Sequence, residues 1–428
     1  MPSCQEATVL GYGTDGDGLV SLGDKPAFIP FAVPGDRLEL LVGDDRHVEL
    51  RALLAPSPDR VESPCALFGA CGGCAMQSSA RPALLDWKRG RVVSALEKAG
   101  FAALPSADTF QVAPETRRRI DLAFRRLPGR IELGLHRRHG DVVDMTECHV
   151  IEPALFGLLA PLREVLATLG VVTGTGDLQI NLYDSGPDLL LSTDAALAPT
   201  DRVKLAAFGR SHAIPRMSWR SKRRPLDGWE VIAQQQPVFH VFGDVRLTPP
   251  PGGFLQATRQ SEKAIADAVL GALPSLNRRD PVFELYAGLG TLTVPISTKA
   301  RVLAFEGHHD AIAALRSGAK GQRIEAIHRD LTRQPLIAKE LEKARVIVLD
   351  PPHGGAMTQM PHIARSGVED IIYVSCNPQA LQKDASLLRQ AGYEILSLTV
   401  VDQFLWSTEV ESVVAFTRSR KRLSRRQT

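Results

Sequence analysis

An apolar strand runs into a glycine-containing turn at Phe283-Glu284-Leu285-Tyr286-Ala287-Gly288-Leu289-Gly290-Thr291. Gly288 and Gly290 let a ligand approach the backbone closely, because glycine carries no side chain. The third glycine of the dinucleotide-binding fingerprint is missing, since Thr293 stands in its place. The turn therefore predicts a ligand site at the end of a strand and argues against NAD.

The sequence around this turn repeats a strand, loop and helix pattern. Strands are predicted at 281–285, 301–305, 325–328, 346–349 and 371–375, with helices such as 311–317 and 379–390 between them. This alternation predicts a parallel α/β sheet with helices on both faces. Ligands of such sheets bind beyond the carboxyl ends of the strands, so we expect the chemistry there.

Acidic residues stand at three successive strand ends: Glu306, Asp330 and Asp350. Glu306 is suited to accept hydrogen bonds from both hydroxyls of a ribose, and Asp330 to contact an adenine edge. The set favours an adenosyl ligand without a pyrophosphate. For Asp330 the alternative is a capping role at a helix N-terminus.

A cysteine follows the fifth predicted strand, in the segment Tyr373-Val374-Ser375-Cys376-Asn377-Pro378. A lone cysteine is often buried and inert. Here Cys376 lies at the ligand edge and precedes a new helix, whose N-terminus favours a thiolate. Its position therefore predicts a nucleophile.

Four of the six cysteines form a pattern of three close thiols and one distant thiol: Cys65, Cys71, Cys74 and Cys148. The N-terminus shows no secretory signal, so we expect a cytoplasmic protein with reduced thiols. The spacing, with two glycines between the second and third cysteines, favours an iron–sulfur cluster. A structural zinc site is the main alternative.

The length of 428 residues allows two or three domains. The patterns predict a small β-barrel at 1–58, a mixed α/β region with the cysteines at 59–250, the strand–helix domain at 251–418 and a basic tail at 419–428. A helix is predicted at about 83–100, and we expect it to pack on the third domain.

The net charge of +3 is unevenly distributed. Basic residues concentrate at 117–138, at 216–224 around Trp219, and in the last eleven residues. Such patches favour phosphate contacts and a base-stacking platform, and a solvated face is the alternative for each. No apolar run approaches the ~18 residues of a membrane-spanning helix, so the expected partner is RNA and not a membrane.

The chain resembles the iron–sulfur-containing RNA uracil-5-methyltransferases, specifically the 23S ribosomal RNA type with an N-terminal TRAM domain. The resemblance spans nearly the whole chain and rests on the four cysteines and on 285–291, 350–352, 375–378 and 409–411. It implies an α/β fold: a class I, Rossmann-like methyltransferase domain, an OB-like TRAM β-barrel and a mixed α/β central iron–sulfur domain.

The resemblance also implies site roles. Cys376 is expected as the nucleophile and Glu411 as the general base. The residues expected to contact S-adenosylmethionine are Gln256, Tyr286, Glu306 and Asp350, and those expected to hold a 4Fe-4S cluster are Cys65, Cys71, Cys74 and Cys148.

The implied function is methyl transfer from S-adenosylmethionine to carbon 5 of a uridine in 23S ribosomal RNA, by a monomer. Carbon 5 of uracil is a poor nucleophile, and thiolate addition at carbon 6 turns the ring into an enolate that can attack the methyl group. A transfer RNA uridine, a 5-methylcytosine transferase and a non-catalytic RNA-binding factor are the alternatives.

The chain departs from the family pattern at four places. His353 replaces an arginine, Thr258 an asparagine and Glu409 a histidine, and the segment 403–406 lacks a common proline. These departures leave the expected nucleophile, base and cluster ligands intact, and they leave room for altered substrate choice.

Overall fold

The computed structural model of the protein describes residues 3–43, 47–138 and 140–426. Within these ranges the N-terminal segment forms strands and no helix: β1 (Ser3–Thr8), β2 (Gly11–Tyr12), β3 (Gly18–Leu22), β4 (Lys25–Ile29), β5 (Arg37–Val42) and β6 (Val48–Ala55). They form two antiparallel sheets, β1-β5-β6 and β2-β3-β4, around a core that includes Val20, Leu38 and Leu40.

The next helix and strand, α1 (Arg81–Lys98) and β7 (Ala107–Gln111), join the C-terminal sheet. Val92 and Leu96 of α1 lie in the hydrophobic core of that domain, as expected for the helix predicted at about 83–100. The sequence patterns place β7 in the central region, at 59–250. Its pairing depends on a strand almost 300 residues away in sequence, which local patterns do not reveal.

The central region is built on a seven-stranded sheet of order β10-β9-β8-β11-β12-β13-β14. Its strands are β8 (Arg119–Leu127), β9 (Arg130–His136), β10 (Val142–Asp144), β11 (Thr175–Tyr183), β12 (Gly186–Thr193), β13 (Arg216–Ser221) and β14 (Glu230–Gln234). The helices α2 (Pro153–Phe156), α3 (Leu159–Thr168) and α4 (Pro199–Ser211) lie in the same region. A hairpin of β15 (His240–Phe242) and β16 (Val245–Leu247) follows, and it packs on the C-terminal domain.

The C-terminal domain contains an eight-stranded sheet of order β19-β18-β17-β20-β21-β23-β22-β7. Its elements are α5 (Arg259–Ala272), β17 (Pro281–Leu285), α6 (Thr293–Ser297), β18 (Arg301–Glu306), α7 (His309–Gly318), β19 (Ile324–His328), α8 (Ala338–Leu341), β20 (Val346–Leu349), α9 (Met360–Arg365), β21 (Asp370–Ser375), α10 (Pro378–Gln390), β22 (Glu394–Asp402) and β23 (Glu411–Thr417). Strands β17 to β21 are parallel, as predicted. The prediction of a parallel sheet is wrong beyond β21, because β23 runs antiparallel to both neighbours.

The central strands of this sheet are buried on both faces. All four residues of β20 are buried, with Ile347 and Leu349 in one hydrophobic cluster and Val346 and Val348 in another. Because alternate side chains of such a strand enter cores on opposite faces of the sheet, the strand appears in the sequence as a continuous apolar run. The layered sheet places the carboxyl ends of β17, β18, β20 and β21 along one edge.

The basic tail is helical over α11 (Arg420–Arg426) in the described part of the chain. Arg422 forms an ion pair with Asp370 at 2.6 Å and donates to the carbonyl of Ala272 at 2.7 Å. The start of the tail is thus docked on the C-terminal domain. None of the described helices combines the length and the apolar character needed to cross a membrane.

Candidate active site and cysteine cluster

One cavity of about 970 Å³ lies between the central region and the edge of the C-terminal sheet. It is lined by all six of the predicted catalytic and cofactor residues: Gln256, Tyr286, Glu306, Asp350, Cys376 and Glu411. Four of them follow or end strands, Glu411 begins β23, and Gln256 lies in the loop before α5. The structure therefore brings together side chains that span more than 150 positions of sequence.

The turn after β17 is adapted to a ligand that approaches the backbone. Tyr286 has a φ of +65°, a conformation that non-glycine residues adopt rarely and at a cost of order 1–3 kcal/mol. Gly290 has a φ of +96°, which favours glycine, and a Cβ there would also lie 2.6 Å from Leu315 Cδ1. The backbone N–H groups of Gly288 and His308 donate to the two carboxylate oxygens of Glu306, at 2.9 and 2.6 Å. These contacts fix the Glu306 carboxylate at the cavity wall.

Asp330 has a different environment from the one expected for an adenine contact. It is not among the described residues that line the cavity. Its Oδ1 atom accepts hydrogen bonds from the backbone N–H groups of Thr332 and Arg333, at 3.0 and 3.2 Å. Asp330 therefore caps a turn and not a helix N-terminus, because the next helix, α8, begins only at Ala338.

The nucleophile candidate lies among buried acids. Burial raises the pKa of the Cys376 thiol to about 12, and the carboxylates of Glu411 and Asp350 add to the rise. Burial also raises the pKa of Asp350 to about 7, and burial together with Asp350 raises the pKa of Glu411 well above its usual value. The expected effect of the helix N-terminus on Cys376 is therefore outweighed in the ligand-free protein, where the thiol is protonated.

Gln403 connects the candidate base to a candidate cofactor residue. Its Nε2 donates to Glu411 Oε2 at 2.8 Å and to Gln256 Oε1 at 3.0 Å. Its Oε1 accepts from Ser261 Oγ at 2.9 Å and from the backbone N–H of Ala257 at 3.3 Å. The other oxygen of Glu411 has no protein partner in the described part of the chain. Gln403 was not among the residues expected at the site, although it lies in the segment 403–406, which lacks the common proline.

Two departures from the family pattern meet in space. His353 Nε2 lies 3.9 Å from Glu409 Oε2, and Asn377 Nδ2 donates to the His353 carbonyl at 2.9 Å. Asn377 Oδ1 also accepts from the backbone N–H of Gln379, which caps α10. The third departure, Thr258, caps α5 through its hydroxyl. The unusual residues are thus accommodated by local contacts.

The four expected cluster cysteines line a second cavity of about 220 Å³, and none forms a disulfide. Cys65, Cys71 and Cys74 lie between β6 and α1, and Cys148 follows β10. Among the described residues, no three His, Cys, Asp or Glu side chains are arranged to hold a single metal ion. Burial raises the pKa of the Cys74 thiol to about 12, so this thiol would be protonated if no positive charge lay in the cavity.

The cysteine loop needs its glycines for packing. A Cβ at Gly72 would lie 2.5 Å from the carbonyl oxygen of His136 at the end of β9, and the Gly72 N–H donates to that oxygen. A Cβ at Gly73 would lie 2.6 Å from Leu135 Cδ1. At Gly72 the backbone therefore approaches β9 more closely than any other residue type allows, whereas at Gly73 the Leu135 side chain would have to move.

The same loop supports the segment that carries Gln403. The backbone N–H groups of Ala75 and Met76 both donate to the carbonyl of Trp406, at 2.9 and 3.0 Å. Phe404 and Leu405 line the cysteine cavity, and Phe404 also lines the large cavity. The cysteine loop and the candidate base are thus connected through residues 403–408.

Many arginines of the two inner basic patches, at 117–138 and 216–224, have ion-pair or hydrogen-bond partners within the protein. Buried arginines pair with acids, as in Arg118 with Glu262 and Arg216 with Asp188. Others bond to surface acids or backbone carbonyls: Arg125, Arg126, Arg130, Arg138, Lys222 and Arg223. Trp219 is half-buried and donates from Nε1 to Thr193 Oγ1. Charge clusters in the sequence therefore overstated the free basic surface.

Comparisons with known proteins place the chain among RNA methyltransferases. The family model described as tRNA (Uracil-5-)-methyltransferase matches residues 324–419. An uncharacterized RNA methyltransferase of Brucella suis is 35% identical over 97% of this chain and 98% of its own length. The 23S rRNA (uracil(1939)-C(5))-methyltransferase RlmD of Klebsiella pneumoniae is 28% identical over 96% of this chain and 95% of its own.

A solved structure shares the fold. It is the Pyrococcus abyssi tRNA (uracil-54, C5)-methyltransferase in complex with S-adenosyl-L-homocysteine, with a TM-score of 0.73, 19% identity and coverage of 96% of this chain and 100% of that one. The relatives at 35% identity define an RNA methyltransferase. The chain belongs to the RNA uracil-5-methyltransferase family and is an enzyme of that class.

Proposed function

We propose that this enzyme transfers a methyl group from S-adenosylmethionine to carbon 5 of a uridine in 23S ribosomal RNA, through a covalent adduct on Cys376. The supporting observation is the convergence of a thiol, a buried carboxylate and the candidate cofactor residues on one cavity. The ribosomal substrate is supported by the name of the Klebsiella pneumoniae relative. A transfer RNA uridine is the second candidate, favoured by the description of the matching family model.

Cys376 and Glu411 divide the chemistry between them. The Cys376 thiolate adds to carbon 6 of uracil, and carbon 5 of the resulting enolate takes the methyl group. The Glu411 carboxylate then removes the proton from carbon 5, the double bond re-forms, and the thiolate leaves. Gln403 occupies one oxygen of Glu411 and leaves the other free for this proton.

The positive charge of the methyl donor fits the acidic cavity. Asp350 raises the pKa of both Glu411 and Cys376, and Glu411 adds to the rise at Cys376. A sulfonium charge nearby favours the ionised forms of all three groups. Gln256, Tyr286, Glu306 and Asp350 are proposed to bind the donor, with Glu306 accepting from the ribose hydroxyls.

The second cavity is proposed to hold a 4Fe-4S cluster on Cys65, Cys71, Cys74 and Cys148. In such a cluster each thiolate binds a different iron, so the four thiolates need not converge on one point. This explains how four cysteines line one cavity without forming a single-ion site. Positively charged iron would keep the buried thiols ionised, and the cluster would brace the adjoining loop.

The remaining parts of the proposal concern the whole molecule. The N-terminal strands are proposed to form a TRAM-like, OB-like RNA-binding barrel, and the enzyme is proposed to act as a cytoplasmic monomer. The support for the barrel is its two short antiparallel sheets around one small core.

The covalent step is tested by trapping. Glu411→Gln keeps the size of the side chain but cannot take the carbon 5 proton, so methylated RNA should stay attached to Cys376. We expect a protein–RNA band on a denaturing gel with Glu411→Gln. The matched variant Cys376→Ala should bind RNA but give neither band nor methyl transfer. Undiminished methyl transfer by Cys376→Ala would refute the covalent mechanism.

The substrate and the cluster need separate experiments. Mapping 5-methyluridine in ribosomal and transfer RNA of a deletion strain identifies the substrate, and loss from transfer RNA alone would overturn the ribosomal assignment. Anaerobically purified protein should be brown, with about four irons and four sulfides per chain. Stoichiometric zinc would overturn the cluster.

A further inference from the structure

The large cavity extends well beyond the candidate catalytic residues. Its wall continues from the C-terminal sheet to Arg220 on β13 and to Trp229 just before β14. These two residues belong to the central region. The cavity therefore has one end at the proposed methyl-donor site of the C-terminal domain and another end in the central region. The catalytic proposal leaves that second end without a role.

Trp229 is unusually exposed for its size. Its side chain is 40% exposed, and it follows Gly228, whose φ of +88° turns the chain at this point. Large aromatic side chains are usually buried, so an exposed one on a cavity wall indicates a binding surface. Trp219, which the sequence suggested as a stacking platform, is instead held against Thr193.

Arg220 supplies a charge that the protein does not neutralise. Its Nε donates to Ser192 Oγ at 3.0 Å, and within residues 3–43, 47–138 and 140–426 no carboxylate pairs with its guanidinium. Most other arginines of the central region do have acidic or carbonyl partners. Arg220 therefore keeps donors available at the cavity wall beside an exposed indole.

Resting on the proposed function, we infer that Trp229 and Arg220 form a subsite for the nucleotide next to the target uridine. A uridine must leave its stack to reach Cys376, and its neighbour then loses a stacking partner. Trp229 replaces that partner by stacking on the neighbouring base, and Arg220 contacts the adjoining phosphate. The subsite thus takes unpaired RNA and holds the flipped-out conformation.

The test uses five-residue oligoribonucleotides with one central uridine, with and without an abasic site on either side of it. Binding is measured by fluorescence anisotropy in the presence of S-adenosylhomocysteine. Stacking on an aromatic side chain predicts that Trp229→Ala weakens binding between about 5-fold and 150-fold. An abasic site on the side where Trp229 stacks should weaken wild-type binding by a similar factor. The same abasic site should not weaken the binding of Trp229→Ala any further.

Matched variants separate stacking from folding. Trp229→Phe should keep most of the affinity, and Val203→Ala, at a position 67% exposed on α4 away from the cavity, should bind like wild type. Arg220→Gln should reduce the dependence of log affinity on log salt by about 0.7, the value for one phosphate contact on a single strand. All variants should bind S-adenosylhomocysteine like wild type.

Two failures can be told apart. If the wild type methylates RNA but Trp229→Ala binds the oligonucleotides equally well, the subsite is wrong and the proposed function stands. An equal effect of each abasic site on wild type and Trp229→Ala also overturns the subsite. If the wild type neither methylates RNA nor binds the oligonucleotides, both the proposed function and the subsite fail.

Discussion

Replacing Lys88 by methionine should destabilise the segment that carries Gln403. The Lys88 and Asp402 side chains are 0% and 1% exposed and form an ion pair between α1 and the end of β22. Lys88 Nζ also donates to the carbonyl of Phe404 at 2.8 Å. Removal of one partner of a buried pair costs about 3–5 kcal/mol, because the other charge stays buried. Asp402 keeps one donor, Gln111 Nε2 at 2.9 Å, so we expect about 3 kcal/mol.

Hydrogen–deuterium exchange measures this loss locally, which suits a protein of several domains. At 1.4 kcal/mol per factor of ten, amides protected by this contact should exchange roughly a hundredfold faster in peptides covering 81–98 and 402–408. The turnover number should fall as well, because Gln403 follows Asp402 directly.

Two further variants decide whether the buried pair is responsible. Lys98→Met makes the same change at an exposed position of α1 and should cost less than about 1 kcal/mol. The double variant Lys88→Met, Asp402→Leu removes both charges and should recover much of the loss. The reasoning would be refuted if amide exchange in Lys88→Met stayed within threefold of wild type. It would also be refuted if the double variant lost as much stability as the two single variants together.

Three other predictions concern the two cavities. Alkylation of Cys376 by iodoacetamide, followed by peptide mapping, should keep accelerating as the pH is raised through the alkaline range in the free enzyme, because the pKa of this thiol is raised. S-adenosylmethionine should shift this profile to lower pH and S-adenosylhomocysteine, which lacks the sulfonium charge, should not. Identical profiles would contradict the electrostatic argument. Gly72→Ala should destabilise the protein by about 1–3 kcal/mol in urea unfolding and lose bound iron, because its Cβ meets the backbone of β9. The control Gly90→Ala, in open space on α1, should stabilise the protein by about 0.5–1 kcal/mol in the same assay. Cys74→Ser should speed amide exchange in residues 403–408, and unchanged exchange there would mean that the cysteine loop does not brace them.

The C-terminal domain was predictable because its signals are local. Each parallel strand is a short apolar run that ends in a polar or glycine-containing turn, and such runs are recognisable without knowledge of their partners. Since parallel strands end at one edge, Glu306, Asp350 and Cys376 could be expected at a common site. Gln256 and Glu411 came from the family resemblance, since no local pattern marks them.

Other features depend on contacts between distant segments. The arginines at 117–138 read as a basic surface, yet Arg118 is fully buried against Glu262, more than 140 positions away. Asp330 accepts hydrogen bonds from backbone N–H groups. The pKa of Cys376 rises through burial, which no sequence pattern reveals.

The sequence by itself determined the strand–helix order, the glycine turn, the nucleophile candidate and the four-cysteine pattern, because these follow from side chains within a few positions of one another. The tertiary structure alone decided that β7 completes the sheet, that Gln403 joins Gln256 to Glu411, and that Trp229 rather than Trp219 faces the cavity. Two of these contacts join segments far apart in sequence, since β7 pairs with β22 almost 300 positions away and Gln403 bonds to Gln256 147 positions away. Such neighbours exist only once the chain has folded.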